Sequence, residues 1–175
     1  MGFFDESGFM LQPTVRRTWA PKGKTPIHKS WDRRDRLSVA SGIVLSPRRR
    51  QIRLRFRVFR RNVNTGMFDK FVTDILRQDG GSLIAVMDRL GAHRSAAKRL
   101  LRRFPRRFFV EWLPAYAPEL NPAEGIWRQA KYADLANYIP PDVGALGKAV
   151  RRSIRKTSRR KQLLKSFFDH AELRL

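Results

Sequence analysis

Apolar and charged positions alternate strictly between Ile52 and Val58, where Ile52, Leu54, Phe56 and Val58 are interleaved with Arg53, Arg55 and Arg57. A period of two predicts a strand with one apolar and one cationic face. Ahead of it, Met1 to Phe4, Thr14 to Ala20 and Leu37 to Val44 read as three further strands, punctuated by Pro21, Gly23 and Pro26. The period then changes. Phe68, Phe71, Val72, Ile75 and Leu76 recur at helical spacing and predict a helix from Thr65 to Gln78, capped by Asn64 or Thr65 and ended by Gly80 and Gly81. Leu83 to Met87 is a continuous apolar run that stops at Asp88, as a buried central strand does. Ser95 to Phe104 predicts a short helix stopped by Pro105, and Phe108 to Leu113 another strand. Asn121-Pro122-Ala123-Glu124 opens a helix, with Asn as N-cap and Pro at the first helical position. Asp142 to Thr157 predicts a helix with Val143, Leu146, Val150 and Ile154 inward and Arg151, Arg152, Arg155 and Lys156 outward; Ser158 to Phe168 predicts a last one. Strands first, then helices and strands in alternation, suggest an α/β mixed sheet with helices on both faces.

Composition changes this picture by its charge. The chain has 175 residues, 42% of them apolar, enough for one core. Its 38 Lys and Arg against 15 Asp and Glu leave a net charge of +23. Such an excess points to a polyanion, since each neutralised phosphate releases a counterion. It names the partner class and not the reaction. The absence of cysteine excludes disulfides and thiolate metal sites. No apolar run approaches the ~20 residues that span a bilayer, and Asp5 and Glu6 stand where a signal peptide needs bases. A cytoplasmic, nucleoid-associated protein without a membrane partner is expected.

In so basic a chain the positions of the acids matter. Asp5 and Asp88 each follow an apolar run, so neighbouring strands would bring both carboxylates to one sheet edge. Glu124, in the first turn of a later helix, can close the cluster. Three carboxylates suit a hard divalent cation such as Mg²⁺. Two such ions can activate a water or a 3′-hydroxyl and stabilise a leaving oxygen. Taken singly, each acid has a structural reading: Asp5 and Asp88 as turn residues, Glu124 as a capping-box carboxylate bonded back to Asn121. Spacing alone does not choose.

The wording around these acids does. Leu113-Pro-Ala-Tyr-Ala-Pro-Glu-Leu-Asn-Pro-Ala-Glu-Gly-Ile-Trp127, followed by Lys131, resembles the third-carboxylate motif of DDE transposases of the mariner-like superfamily and their bacterial insertion-sequence relatives. Val86-Met-Asp88 with His93-Arg94-Ser95 resembles their second motif, and Phe4-Asp5-Glu6-Ser-Gly-Phe9 with Arg17-Thr-Trp-Ala-Pro-Lys-Gly23 and Pro26 their first. The resemblance covers about residues 3 to 150. It implies an RNase H-like, five-stranded mixed sheet over residues 1–157, with 158–175 as a basic helical extension of the same domain. It implies Mg²⁺ or Mn²⁺, two ions, held by the catalytic residues Asp5, Asp88 and Glu124. The implied reaction is cleavage at transposon ends followed by strand transfer, without a covalent protein–DNA intermediate. His93 and Asn121 are candidates for the shell around these acids. Trp127 and Leu120 read as packing residues.

Two departures and three charge runs complete the reading. Arg89 follows Asp88 where the family commonly has Asn, and a cation there competes with a metal ion unless it turns toward DNA. The first acid lies four residues into the chain, which leaves no room for the family's N-terminal helix-turn-helix module. The chain therefore reads as a catalytic half with a separate DNA-binding chain, or as an inactive, truncated remnant that binds nucleic acid. A basic structural protein of a ribonucleoprotein is the reading from another class. Arg48 to Arg61 holds eight arginines and no acid, Lys98 to Arg107 six bases and no acid, and Gly147 to Leu175 ten bases. Arg53, Arg55, Arg57, Lys131, Arg151, Arg152 and Arg155 are the candidate contacts to double-stranded DNA, bound through phosphates by an expected homodimer.

Overall fold

Gly2 to Met10 form β1, the middle strand of a five-stranded sheet. The computed structural model describes residues 1–27, 35–48, 51–173 and 175; Arg49 and Arg50 of the first arginine run lie outside them. After β1 come β2 (Arg36–Leu45), β3 (Ile52–Phe59), α1 (Thr65–Asp79), β4 (Leu83–Met87), α2 (Gly91–Arg103) and β5 (Phe108–Trp112). Then follow α3 (Glu124–Gln129), a π-helical turn (Ala130–Asp134), α4 (Val143–Arg159) and α5 (Lys161–His170). The strand order is β3-β2-β1-β4-β5. Strands β1, β2 and β3 are antiparallel neighbours, while β4 lies parallel to both β1 and β5.

Strand alternation builds two cores. Phe3 and Phe9 of β1, with Ile52 and Leu54 of β3, pack under α3, α4 and α5, where Phe3 meets Phe168 edge-on at 5.3 Å. Phe4, one residue on, points the other way into the core under α1 and α2 and meets Phe68 and Phe71. Helices thus cover both faces of a mixed sheet, as the element order suggested. The cap expected at Asn64 forms, accepting the Met67 N–H at 2.9 Å, and Asp142 caps α4 by accepting the Ala145 N–H at 2.7 Å, whereas the cap expected at Asn121 does not form, since α3 begins at Glu124 after Ala123.

Four expectations need correction. The strand expected over Thr14 to Ala20 is absent, and that segment has no regular structure. Its backbone bonds go to Asn137 instead, which binds both Thr14 and Arg16, and its side chains find no core. β1 runs on to Met10 and does not end at Asp5, because β2 pairs with it along its whole length, from Gly2↔Val44 to Met10↔Arg36. α2 starts at Gly91, four residues ahead of Ser95, which puts His93 in its first turn. The last helix starts at Lys161, after a break at Arg160.

The cationic face of β3 is not bare. Arg53 and Arg55 both pair with Asp79 of α1, and Arg57 with Asp74 at 2.7 Å. Among the described residues, no helix is long and apolar enough to cross a membrane.

Candidate active site

The site follows from a mismatch between two ladders. β1 pairs with β4 only at Gly2↔Ala85 and Phe3↔Val86, whereas its pairing with β2 continues. Beyond Phe3, β1 therefore has an open flank. Asp5 lies on that free stretch, and Asp88 lies one residue past the end of β4. The Asn121 side chain closes the start of the gap: its Nδ2 donates to the Phe4 carbonyl at 3.1 Å, and its Oδ1 accepts the Ala123 N–H at 3.1 Å. Asn121 thereby fastens the third-motif turn to the strand beside Asp5.

A helix face then meets a strand face. Glu124, Trp127 and Lys131 stand at i, i+3 and i+7, one side of a helix; Asp5, Ser7 and Phe9 stand at i, i+2 and i+4, one side of a strand. Trp127 Nε1 donates to Asp5 Oδ2 at 2.7 Å, and its ring meets Phe9 edge-on at 6.1 Å. Lys131 Nζ donates to Ser7 Oγ at 2.7 Å and sits over the Phe9 ring at 5.4 Å. The π-helical turn from Ala130 to Asp134 carries Lys131; such turns often occur at functional sites.

The capping role for Glu124 is not taken up. The Asn121 N–H donates to the Pro118 carbonyl, α3 begins at Glu124 itself, and residues 121–123 form a turn ahead of it. Glu124 faces Asp5 closely enough to repel it. Burial is the largest cause that pushes the Asp5 carboxyl up to about 7, followed by Glu124, with a smaller push from Asp88. Burial lowers the Lys131 ammonium, opposed by Glu124 and Asp5.

Asp88 is held from the opposite face. His93 Nδ1 donates to its Oδ1 at 2.5 Å, and the Leu90 N–H donates to the same oxygen at 3.1 Å. The His93 bond, above all, holds the Asp88 carboxyl below its ordinary value. His93 is fully buried and stacks on Phe68 at 4.2 Å. Asp88 Oδ2 makes no hydrogen bond among the described residues. Arg89 is exposed and forms no ion pair there.

Three residues of the site were missed or undervalued from sequence. Trp127 packs as expected but also holds Asp5. Ser7 was not considered, although its period-two spacing from Asp5 put it on the same face. Glu6 points to the α2 side with its Oε2 buried and unpartnered. Burial raises the Glu6 carboxyl, Asp88 adds to this, and His93 opposes it.

The three acids are neighbours and not a closed cage: among the described residues, no three His, Asp or Glu groups stand close enough together to hold a metal ion. His93 and Trp127 each tie one member down. The donors still fit a hard cation. They are all carboxylate oxygens, the ligands that such an ion takes. A groove of about 560 Å³ runs past Glu124, lined also by Arg16, Asn121, Arg128 and Tyr132.

Comparison with solved structures agrees with the fold. The mariner Mos1 paired end complex with Mg is similar at a TM-score of 0.67 and 12% identity, over 98% of this chain and 53% of that one. The Mos1 paired-end complex with left transposon end gives 0.61 and 14%, over 98% and 55%. The Mos1 Strand Transfer Complex gives 0.58 and 14%, over 99% and 55%. At such identities the likeness establishes the fold, which is RNase H-like. The chain spans about half the length of those chains. No curated protein matches it. The family described as DDE superfamily endonuclease matches residues 1–146, most of the chain and all three acids. By fold and by family, this chain belongs to the DDE superfamily endonucleases.

Proposed function

We propose that the chain is a transposase catalytic domain that cuts DNA at element ends and joins the freed 3′-hydroxyl to target DNA. The observation that carries this reading is that Asp5 lies on the stretch of β1 that β4 leaves open, one residue past whose end stands Asp88, and feels the charge of both Glu124 and Asp88, in a chain of charge +23. The basic surface draws the backbone in, and the acids need a cation before they can meet it. Asp5, Asp88 and Glu124 would hold Mg²⁺ or Mn²⁺, and we propose two ions. When bound, they would activate the attacking water or 3′-hydroxyl and stabilise the leaving oxygen.

The chain's own residues prepare that site. Trp127 fixes the orientation of Asp5, so the acid loses its proton without losing its place. His93 turns Asp88 so that its Oδ2 remains available. Lys131, half-buried among Ser7, Phe9 and the acids, is placed to meet a phosphate that enters beside Glu124. The Mos1 structures hold paired transposon ends. By extension, two copies of this chain would act on double-stranded transposon ends in the bacterial cytoplasm.

Two observations favour a second reading, a nucleic-acid-binding protein without catalysis: Arg89 beside Asp88, and acids that are not closed into a cage. Nicking of supercoiled plasmid decides between them. The catalytic reading expects nicking with Mg²⁺ or Mn²⁺ that stops on chelation and in Asp88→Asn. Equal nicking by the variant removes Asp88 from the mechanism. DNA binding without nicking by either protein establishes the second reading.

A further inference from the structure

We propose that residues 14–24 form an arm whose Trp19 ring stacks on an exposed base face of DNA, an unpaired nucleotide or the terminal pair of a cut end, beside the catalytic groove. The proposal rests on the DNA reading above. Trp19 is 100% exposed. An indole buries 150–250 Å² when it finds a partner, so leaving it wholly in water forgoes a large gain. Its surroundings say what that partner is. Residues 12–27 carry Arg16, Arg17, Lys22 and Lys24 and no acid. Aromatic rings between cations are the arrangement that binds nucleic acid by stacking while phosphates are neutralised.

The arm is fixed at its root. Asn137 adopts a left-handed conformation (φ 60°) and makes three bonds to it. Its N–H donates to the Thr14 carbonyl at 3.0 Å, its Nδ2 to the Arg16 carbonyl at 2.9 Å, and its Oδ1 accepts the Arg16 N–H at 2.8 Å. The Arg16 guanidinium reaches the Tyr132 carbonyl at 2.8 Å. Arg16 and Tyr132 also line the groove that contains Glu124. Trp19 stands three residues further on, within about 10 Å of the groove wall along the chain. The tip is shaped as well: the Lys24 N–H donates to the Pro21 carbonyl at 3.0 Å, and Gly23 has φ 79°, a type II turn that presents Lys22 and Lys24 together.

The test uses the full chain and three labelled DNAs of one sequence: a duplex closed by hairpins at both ends, the same duplex with a blunt end, and the same duplex with a short single-stranded tail. Fluorescence anisotropy gives the affinities of wild type, Trp19→Ala and Trp19→Phe. Trp19→Ala should bind tailed or blunt DNA about tenfold more weakly and closed duplex almost unchanged; Trp19→Phe should retain most of the affinity. The tailed and blunt arms tell an unpaired base from a terminal pair. Equal losses on all three DNAs, or no loss on any, overturn the proposal. Unchanged DNA affinity with altered sedimentation would assign Trp19 to contact between copies and also overturn it. If the wild type binds none of the DNAs, the DNA reading itself fails, which is a separate outcome.

Discussion

At the scale of single residues, Asp5 carries a conflict between stability and function. Its carboxyl is held at about 7 instead of 3.8 by burial and by Glu124 and Asp88. A raised carboxyl favours the folded state below its ordinary value, and that contribution is lost as pH climbs through the folded value. The metal-free protein should therefore lose stability between about pH 4 and pH 7, by up to about 4 kcal/mol. Asp5→Asn keeps an acceptor for Trp127 and removes the charge. It should melt roughly 5–10 °C above wild type at pH 8 with chelator, match it near pH 4, and fail to nick DNA. A variant no more stable than wild type at pH 8 would mean that Asp5 does not feel its neighbours as described. His93 acts one step further out, through its 2.5 Å bond to Asp88. Groups that orient metal ligands alter metal affinity about 10–100-fold when replaced. His93→Gln should accordingly raise the Mg²⁺ concentration for half-maximal nicking while leaving the DNA affinity near wild type.

At the scale of elements, the approach of α3 to α5 decides where Glu124 stands. A Cβ on Gly125 would overlap the buried Phe167 ring, so the α3 backbone lies directly against that side chain of α5. Gly125→Ala should destabilise the chain by about 1–3 kcal/mol through overpacking, read as a lower melting temperature, and should also reduce nicking, because the displaced residue adjoins Glu124. Gly125→Ala with wild-type melting would place α5 elsewhere. The same scale shows what the sequence could tell. Elements with a buried face and a clear period were legible: β3, α1, β4 and α4 begin and end within a residue or two of expectation. The family was legible through the motifs around the three acids. The irregular course of Thr14 to Ala20 was not, because the strand-like pattern there looks outward and only a distant Asn137 explains its path. The true length of β1 was hidden because polar Asp5, Glu6 and Ser7 interrupt its pattern, and β2 supplies the bonds that keep it extended. Trp127 as the partner of Asp5 was hidden for a similar reason: 122 residues separate the two, and only the pairing of a helix face with a strand face brings them together.

At the scale of the molecule, the charge of +23 is not spread evenly over unpaired side chains among the described residues. Arg53, Arg55 and Arg57 spend their charge on Asp79 and Asp74 of α1, tying β3 to the helix that covers it. Arg151, Arg152 and Arg155 of α4 are exposed and form no ion pair among the described residues. Both groups were candidate contacts, and the structure separates them. A phosphate contact releases condensed counterions, so each one adds about 0.9 to the slope of log affinity against log salt on duplex DNA. Replacing Arg151, Arg152 and Arg155 together with Gln should lower that slope by up to about 3 and leave the melting temperature near wild type. Replacing Arg53, Arg55 and Arg57 with Gln should do the reverse. The slope should hold while stability falls, since Asp79 and Asp74 lose their partners at half-buried positions. Anisotropy titrations across a salt series, paired with melting curves, read both quantities on the same samples. If the β3 variant flattens the salt dependence and the α4 variant does not, DNA lies across the opposite flank of the sheet from α4, and the path of the strand toward Glu124 must be redrawn.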